Sequence, residues 1–226
     1  MSMIETPRNL CEKTLACLVL DRSGSMNGVP INELNAGIKE FLVEIDGDST
    51  LHNGLEVALV VFDDEVVVAQ APALVSDIKF DDIKTGGTTA MVDAVRKAIQ
   101  VVEDRKTYYK HNNISYKRPW IILITDGAPD SDQDVAGLAS EIEKATKAKK
   151  FMFIPIGVQN ADMAVLNTIA GYSEGLKVSP VMLKGTKFKD FFEWLSISMG
   201  AIVNTPNGAD VKLESPSGWG TFPTSI

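Results

Sequence analysis

In the stretch LVLDRSGSMNG, residues 18–28, an apolar segment changes abruptly to small and polar residues. An apolar run ends in Asp21, and Ser23 and Ser25 follow at alternate positions among small residues. In an extended loop, alternate side chains point to the same side, and Gly24 lets the backbone pass close to a bound group. The stretch therefore predicts a buried strand whose carboxyl end carries one carboxylate and two hydroxyls.

Length, composition and charge limit the possible functions. The chain has 226 residues, of which 45% are hydrophobic, enough for one large domain with a buried core or, as the alternative, two small domains. Lysine and arginine number 22 against 30 aspartates and glutamates, which gives a net charge of -8. Such a charge disfavours nonspecific binding to nucleic acid or to an anionic membrane. We therefore expect neither a nucleic acid nor a membrane as the partner.

The N-terminal residues and the cysteines bear on the compartment. Residues 1–14, MSMIETPRNLCEKT, lack the apolar segment of a signal peptide, and no run reaches the roughly 18 apolar residues of a membrane span. We therefore expect a cytoplasmic protein. Cys11 and Cys17 do not form a C-x-x-C motif, and Cys17 lies in an apolar run, where a thiol usually serves as a small core residue. We expect neither a disulfide nor a metal site there.

Outward from the opening stretch, short apolar runs alternate with segments of helical periodicity. The predicted strands cover 14–20, 54–62, 65–70, 120–126, 151–158 and 177–183. The predicted helices lie around 31–45, 91–102, 135–145, 163–170 and 188–199. Two aspartates between the second and third strands suit an antiparallel hairpin with an edge strand. The pattern predicts a doubly wound α/β fold, with a mostly parallel central sheet, one antiparallel edge strand and helices on both faces.

Three polar segments would meet at one edge of this sheet. In an open α/β sheet, ligands bind at the carboxyl ends of the strands, beside the point where the strand order reverses. The segment LITDG ends a strand there, and TGGTTA, residues 85–90, enters a helix from the same side. The candidate ligands, all of them oxygen donors, are Asp21, Ser23, Ser25, Thr88 and Asp126.

This set of donors indicates the kind of ion. Hydroxyl and carboxylate oxygens suit a hard divalent cation with six ligands, and they do not suit zinc. We therefore predict Mg²⁺, with Mn²⁺ or Ca²⁺ as the alternatives.

The same segments resemble the metal-ion-dependent adhesion site of von Willebrand factor A (VWA) domains. The three pieces are D-x-S-x-S at 21–25, G-G-T at 86–88 and T-D-G at 125–127, in the family's order. The resemblance covers roughly residues 12–200 and implies a Rossmann-like sheet. It also implies that the metal is coordinated by Ser23, Ser25 and Thr88, with Asp21 and Asp126 bound directly or through water.

The resemblance further implies an open coordination position, which an acidic group of a protein partner fills. Two aspartates roughly neutralise a divalent ion, so an incoming carboxylate meets a Lewis acid instead of an acidic surface. Either Thr88 or Thr89 could reach the ion; the family pattern selects Thr88 and leaves Thr89 as the cap of the next helix. The segments YKRPWIILITDG and PSGWG look like the bacterial tellurium-resistance VWA proteins (TerY-like), which suggests a role in tellurium or stress resistance.

The predicted organisation has three parts. Residues 1–13 form an N-terminal extension, residues 14–201 the VWA domain, and residues 202–226 a C-terminal tail rich in Gly, Pro and Ser. Trp219 and Phe222 favour packing of that tail on the domain.

Other polar segments have simpler interpretations. PDSDQD, residues 129–134, hints at a calcium loop, but Val135 stands where such loops need glycine, which favours helix capping or an acidic rim. Asp63, Asp64, Asp81 and Asp82 are most simply turn residues. Residues 105–118, which interleave basic and aromatic side chains, predict a long solvated connection, with binding of nucleic acid or of a partner as the alternative.

Enzymatic functions are less well supported. A hydrolase that used Ser23 or Ser25 as nucleophile would need a base, but His52 and His111 each precede a strand and so fall towards the opposite end of the sheet from the candidate site. The chain lacks a nucleophile elbow, a phosphate loop and a dinucleotide fingerprint. The best enzymatic alternative is a metal-dependent phosphatase or hydrolase using Asp21 as nucleophile, although position 23 is then serine where a second acid is wanted. The sequence thus favours a non-enzymatic, metal-dependent protein-interaction module.

Overall fold

The computed structural model describes residues 7–173, 175–183 and 187–206. The strands are β1 (Thr14–Asp21), β2 (Leu55–Phe62), β3 (Val66–Leu74), β4 (Trp120–Thr125), β5 (Met152–Val158), β6 (Tyr172–Ser173), β7 (Leu176–Lys177) and β8 (Val181–Leu183). The helices are α1 (Val29–Gly47), α2 (Ser49–Gly54), α3 (Met91–His111), α4 (Val135–Lys147), α5 (Met163–Ile169) and α6 (Phe188–Asn204), with 3-10 turns at Gly24–Met26 and Val75–Asp77.

Six strands form the central sheet, in the order β3-β2-β1-β4-β5-β8. Within it, only β3 runs antiparallel to its neighbour, and β3 is an edge strand. β6 and β7 form a separate short antiparallel pair. The predicted doubly wound α/β fold with one antiparallel edge strand is confirmed.

Helices cover both faces of the sheet because its central strands alternate apolar residues between two cores. On one face, Leu18 and Leu20 pack in a core built with α1 and α6. On the other face, Cys17 and Val19 pack with α3, α4 and α5. Every residue of β1 is buried, as expected for a strand covered on both sides. Cys17 therefore belongs to the core, as predicted from its apolar surroundings.

The centre of the sheet fixes the position of the candidate site. β1 lies between β2 and β4, so the strand order reverses around it. Leu20 is in register with Ile124, so Asp21 and Thr125, the next residues along, leave the two strands at the same level. The carboxyl ends of β1 and β4 thus form one continuous edge.

The predicted strand at 177–183 is wrong in its extent. The structure has two short strands instead: β7, which pairs with β6 outside the main sheet, and β8, which pairs with β5. Pro180 lies between them. Because proline has no N–H to donate to a ladder, an unbroken strand through this position is disfavoured.

The predicted long connection at 105–118 is also wrong in its first half. Helix α3 continues to His111, and Arg105 is only 8% exposed. Its guanidinium donates to both carboxylate oxygens of Glu56 at 2.6 and 2.7 Å, and the Tyr109 hydroxyl donates to the same carboxylate at 2.6 Å. These polar groups are therefore part of the protein interior, at the amino-terminal edge of the sheet.

Helix α6 is the last helix in the described part of the chain. It continues to Asn204, so the domain boundary predicted at 201 lies in its last turn. The Lys117 side chain caps the C-terminus of α6 by donating to the carbonyl oxygens of Ile202, Val203 and Thr205. The predicted packing of the tail concerns residues 207–226, which lie outside the described residues. No helix in the described ranges has the length and apolar character needed to cross a membrane.

Candidate metal centre

Asp21 ends β1 and is the most deeply buried of the predicted ligands. Its side chain is 0% exposed. One carboxylate oxygen accepts a hydrogen bond from the backbone N–H of Ser23 at 2.8 Å, and the other accepts one from the Thr125 hydroxyl at 2.5 Å. Asp21 therefore joins the loop after β1 to the end of β4.

The two serines continue this connection towards Asp126. The hydroxyls of Ser23 and Ser25 lie 3.1 Å apart, and the Ser25 hydroxyl donates to Oδ1 of Asp126 at 2.7 Å. Ser23 is buried and Ser25 is exposed. Four of the five predicted ligands are thus linked through hydrogen bonds, from the interior to the surface.

The loop that carries Thr88 lies against the serine loop. The N–H of Gly24 donates to the carbonyl of Gly87 at 3.2 Å, and the N–H of Gly86 donates to the carbonyl of Arg22 at 2.9 Å. Gly87 has a φ of 58°, a left-handed conformation that favours glycine. The two backbones therefore run side by side, and the G-G pair allows the turn that precedes Thr88.

Thr88 is held differently from the other four residues. Its side chain is exposed, and its hydroxyl donates to Oδ2 of Asp130 at 2.8 Å. Its recorded side-chain partner thus comes from the loop after β4, at a residue that the sequence assigned only to a capping or rim role.

The prediction that Thr89 caps the next helix is wrong. Helix α3 begins after Ala90 without a side-chain cap from its own flanking residues. Instead, the side-chain oxygen of Gln133 accepts the N–H groups of Val92 at 2.7 Å and Asp93 at 3.4 Å. The loop after β4 therefore supplies the acceptor for the first turn of α3.

Arg22 and Asp63, which the sequence did not indicate as site residues, support the candidate site from the side of β2. The side chains of Arg22 and Asp63 form an ion pair at 3.0 Å, and Asp63 is 7% exposed. The carbonyl of Asp63 accepts the N–H of Ala90 at 2.7 Å. Asp63 is a turn residue, as predicted, but it also connects the β2–β3 turn to both loops that carry the predicted ligands. The signal available in the sequence was Arg22 itself, a cation inside the D-x-S-x-S segment.

The electrostatics of the site are dominated by two buried carboxylates. Burial raises the pKa of Asp21 to about 6, and the nearby charge of Asp126 acts in the same direction, while the hydrogen bonds to Asp21 oppose the shift. Burial also raises the pKa of Asp126. Within the described ranges, the recorded partners of both groups are hydroxyl and N–H donors, not lysines or arginines. A cation would offset the cost of burying these two charges.

The hydroxyls also fit the requirements of a hard cation. A hydroxyl has one proton and two lone pairs, so a hydroxyl that donates its proton to a carboxylate keeps its lone pairs for a metal. Ser25 donates to Asp126, and Thr88 donates to Asp130. No group of three or more His, Cys, Asp and Glu side chains suited to a metal occurs among the described residues.

The segment 129–134 also performs the capping role predicted for it. The Asp134 side chain accepts the N–H of Gly137 at 2.9 Å and so caps α4. The contacts of Asp130 and Gln133 with Thr88 and α3, about 40 positions earlier in the chain, were not predicted, because they depend on how the two loops meet.

Comparison with known proteins identifies the family of the chain. A model of the von Willebrand factor type A domain matches residues 17–189. The chain is similar to the ArnB paralog VWA2 from Sulfolobus acidocaldarius, with 17% identity and a TM-score of 0.54 over 84% of this chain and 46% of that one. No curated protein sequence matches.

Pilus proteins share the fold as well. The PilB minor pilin from Streptococcus sanguinis is 13% identical, with a TM-score of 0.61 over 89% of this chain and 65% of the pilin. The vWF domain of the type V pili tip protein Mfa5 from Porphyromonas gingivalis is 10% identical, with a TM-score of 0.57 over 89% of this chain and 99% of that domain.

The alignments cover less than two thirds of both VWA2 and PilB. At these identities the structural likeness shows the fold alone. The family model, in contrast, covers most of the chain, from within β1 to the start of α6. The chain belongs to the von Willebrand factor type A domain family.

Proposed function

We propose that this domain is a protein-interaction module that binds Mg²⁺ through Asp21, Ser23, Ser25, Thr88 and Asp126, and binds a carboxylate of its partner at that ion. The observation that carries the proposal is the pair of buried carboxylates, Asp21 and Asp126, in a site whose other donors are neutral hydroxyls. VWA domains commonly act as metal-dependent protein-interaction modules, which agrees with this assignment.

The exposure of the ligands supports a binding role at the surface. Asp21 and Ser23 are buried, whereas Ser25 and Thr88 are exposed. A partner would therefore approach from the side of Ser25 and Thr88, while the buried aspartate anchors the site in the sheet. When bound, the cation would supply an electrophilic position for an incoming carboxylate. Ser25 would orient its oxygen by donating its proton to Asp126.

Metal binding is tested by titrating the protein with Mn²⁺ and following the free ion by electron paramagnetic resonance, with Mg²⁺ as competitor. Asp126→Ala and Ser25→Ala should each weaken binding strongly, because each removes a proposed ligand. Asp132→Asn is the matched control, since Asp132 is an exposed carboxylate in the same loop region and is outside the proposed set. Equal Mn²⁺ affinity in wild type, Asp126→Ala and Ser25→Ala would move the ion elsewhere.

The carboxylate specificity is tested with a small probe. Acetate labelled with ¹³C should show paramagnetic broadening with the Mn²⁺-loaded protein, beyond that caused by free Mn²⁺ at the same concentration. Addition of EDTA should remove the effect. A protein partner captured from lysate should likewise be retained in Mg²⁺, released by EDTA and competed by acetate. Capture that persists undiminished in EDTA would place the interaction on another surface.

A role in tellurium or stress resistance and a cytoplasmic location remain predictions from the sequence. The resemblance of YKRPWIILITDG to tellurium-resistance VWA proteins supports the first of them. Tellurite survival of source cells carrying the wild-type gene or Asp126→Ala tests that role, and cell fractionation tests the location. Equal survival of the two strains would count against a metal-dependent role in resistance.

A further inference from the structure

The loop after β4 contains a turn that is hydrogen-bonded to the loop carrying Thr88. Residues 130–133 form this turn, which is closed by a hydrogen bond of 3.0 Å from the N–H of Gln133 to the carbonyl of Asp130. Oδ2 of Asp130 accepts the Thr88 hydroxyl at 2.8 Å and the N–H of Thr89 at 3.1 Å. The N–H of Asp130 also donates to the carbonyl of Thr89 at 3.1 Å. Asp130 therefore engages both the backbone and the side chain of this loop.

We propose that Asp130 is the positioning residue of the centre: it fixes the Thr88 hydroxyl by accepting its proton. The proposal rests on the proposed metal-binding function and adds to it a residue outside the five ligands. With its single proton committed to Asp130, the Thr88 hydroxyl keeps its lone pairs for a cation. A carboxylate acceptor also makes the donor oxygen more electron-rich, which is how carboxylates behind metal ligands strengthen metal binding.

The roles of Gln133 and Asp134 differ from the positioning role proposed for Asp130. Gln133 caps the first turn of α3, and Asp134 caps α4. Within the described part of the chain, the Asp130 side chain accepts hydrogen bonds from Thr88 and Thr89 and caps neither helix. Gln133→Ala should therefore weaken the start of α3 and leave the acceptor of the Thr88 hydroxyl in place. Asp130→Ala should remove that acceptor and leave both helix caps in place.

The first test measures the Thr88 side chain without metal. Three-bond NMR couplings from the Thr88 methyl carbon to the backbone nitrogen and carbonyl carbon report its χ1 rotamer. In wild type they should correspond to one rotamer, and in Asp130→Ala they should be averaged. Asp130→Asn, which keeps an acceptor oxygen, should restore the single rotamer. A single, unchanged Thr88 rotamer in Asp130→Ala would overturn the proposal.

The second test measures Mn²⁺ affinity. Asp130→Ala should weaken binding by about 10- to 100-fold, the usual loss when a group behind a metal ligand is removed. In a Thr88→Ala background, the same substitution should cause no further loss, because Asp130 acts through Thr88. Gln133→Ala should lower the melting temperature and leave the Mn²⁺ affinity unchanged. An additive loss in Thr88→Ala/Asp130→Ala, or wild-type affinity in Asp130→Ala, would contradict the positioning role.

Failure of this proposal can be told from failure of the proposed function. A wild-type protein that binds no Mn²⁺ would refute the metal-binding function, whereas the couplings of the metal-free protein still decide whether Asp130 fixes Thr88. A protein that binds Mn²⁺ equally with Asp or Ala at position 130 would retain the function and refute the positioning role.

Discussion

Ser25 and Asp126 lie 101 positions apart in the chain, yet the Ser25 hydroxyl donates a hydrogen bond of 2.7 Å to Oδ1 of Asp126. The contact follows from the sheet, because β1 and β4 are adjacent parallel strands and both loops leave the same edge. Neither loop alone could hold an ion with this donor set. The candidate centre is therefore a property of the fold, and its occupancy should be linked to folding stability.

Magnesium should raise the melting temperature of the wild-type protein and have little effect on Asp126→Asn. A ligand that binds only the folded state adds about 2.7 kcal/mol of stability at a concentration of 100 times its dissociation constant, or about 5–10 °C for a chain of this size. The variant keeps the shape of the side chain and removes the charge that would hold the ion. Thermal unfolding with and without magnesium measures both shifts.

The control for this prediction is Asp132→Asn, which removes an exposed charge from the same loop region and should respond to magnesium as the wild type does. A similar magnesium shift in Asp126→Asn would show that the ion acts elsewhere on the protein.

Gly87→Ala should damage the candidate centre more than Gly86→Ala. Gly87 has a φ of 58°, and a Cβ atom there would overlap Oδ1 of Asp64. The left-handed conformation alone costs about 1–2 kcal/mol for a residue with a side chain, and the adjacent Thr88 would be displaced. A Cβ at Gly86 would lie 3.5 Å from the nearest atom, Oδ2 of Asp63, an ordinary contact.

Denaturant unfolding and Mn²⁺ titration of the two glycine variants measure this difference. Gly87→Ala should lose both stability and metal affinity, whereas Gly86→Ala should stay close to wild type in both. Equal Mn²⁺ affinities in the two variants would mean that the conformation of Gly87 does not control Thr88.

Much of the fold was predictable because it depends on local patterns. The run TLACLVL became β1, a strand buried on both faces, and the periodic apolar residues became helices. The prediction failed where tertiary contacts decide the outcome. Helix α3 continues through Arg105 and Tyr109 because these residues reach Glu56, about 50 positions earlier in the chain.

In the candidate site, too, some residues could be predicted from the sequence and others could not. Asp21, Ser23, Ser25 and Asp126 come together because each lies next to the end of a strand whose place in the sheet could be inferred. Whether they bind metal remains a prediction. The roles of Asp130 and Gln133 could not be inferred, because hydrogen bonds between two loops depend on the path of both.

Arg105→Met should destabilise the domain without changing Mn²⁺ affinity. Arg105 and Glu56 form a buried ion pair at 2.6 Å, with side chains 9% and 3% exposed. Removing one partner of such a pair leaves a buried charge and typically costs about 3–5 kcal/mol. The pair lies at the amino-terminal edge of the sheet, while the candidate centre lies at the carboxyl edge, so the two effects should be separable.

Urea unfolding and Mn²⁺ titration of Arg105→Met provide the test, with Arg105→Lys as the variant that keeps the charge and loses the two-point geometry. A large loss of Mn²⁺ affinity in folded Arg105→Met would show that the two edges of the sheet are coupled.

Asp21 should not act as a nucleophile towards phosphate esters. Its side chain is 0% exposed, and its two oxygens accept hydrogen bonds from the N–H of Ser23 at 2.8 Å and the hydroxyl of Thr125 at 2.5 Å. A carboxylate needs no base to become a nucleophile, but it has to reach its substrate, and the burial of Asp21 prevents this. We therefore expect the purified protein with magnesium to release no p-nitrophenol from p-nitrophenyl phosphate above the blank.

Release that disappears in Asp21→Asn, but not in the exposed-site control Asp132→Asn, would instead assign a phosphatase activity to Asp21 and contradict the binding-module proposal.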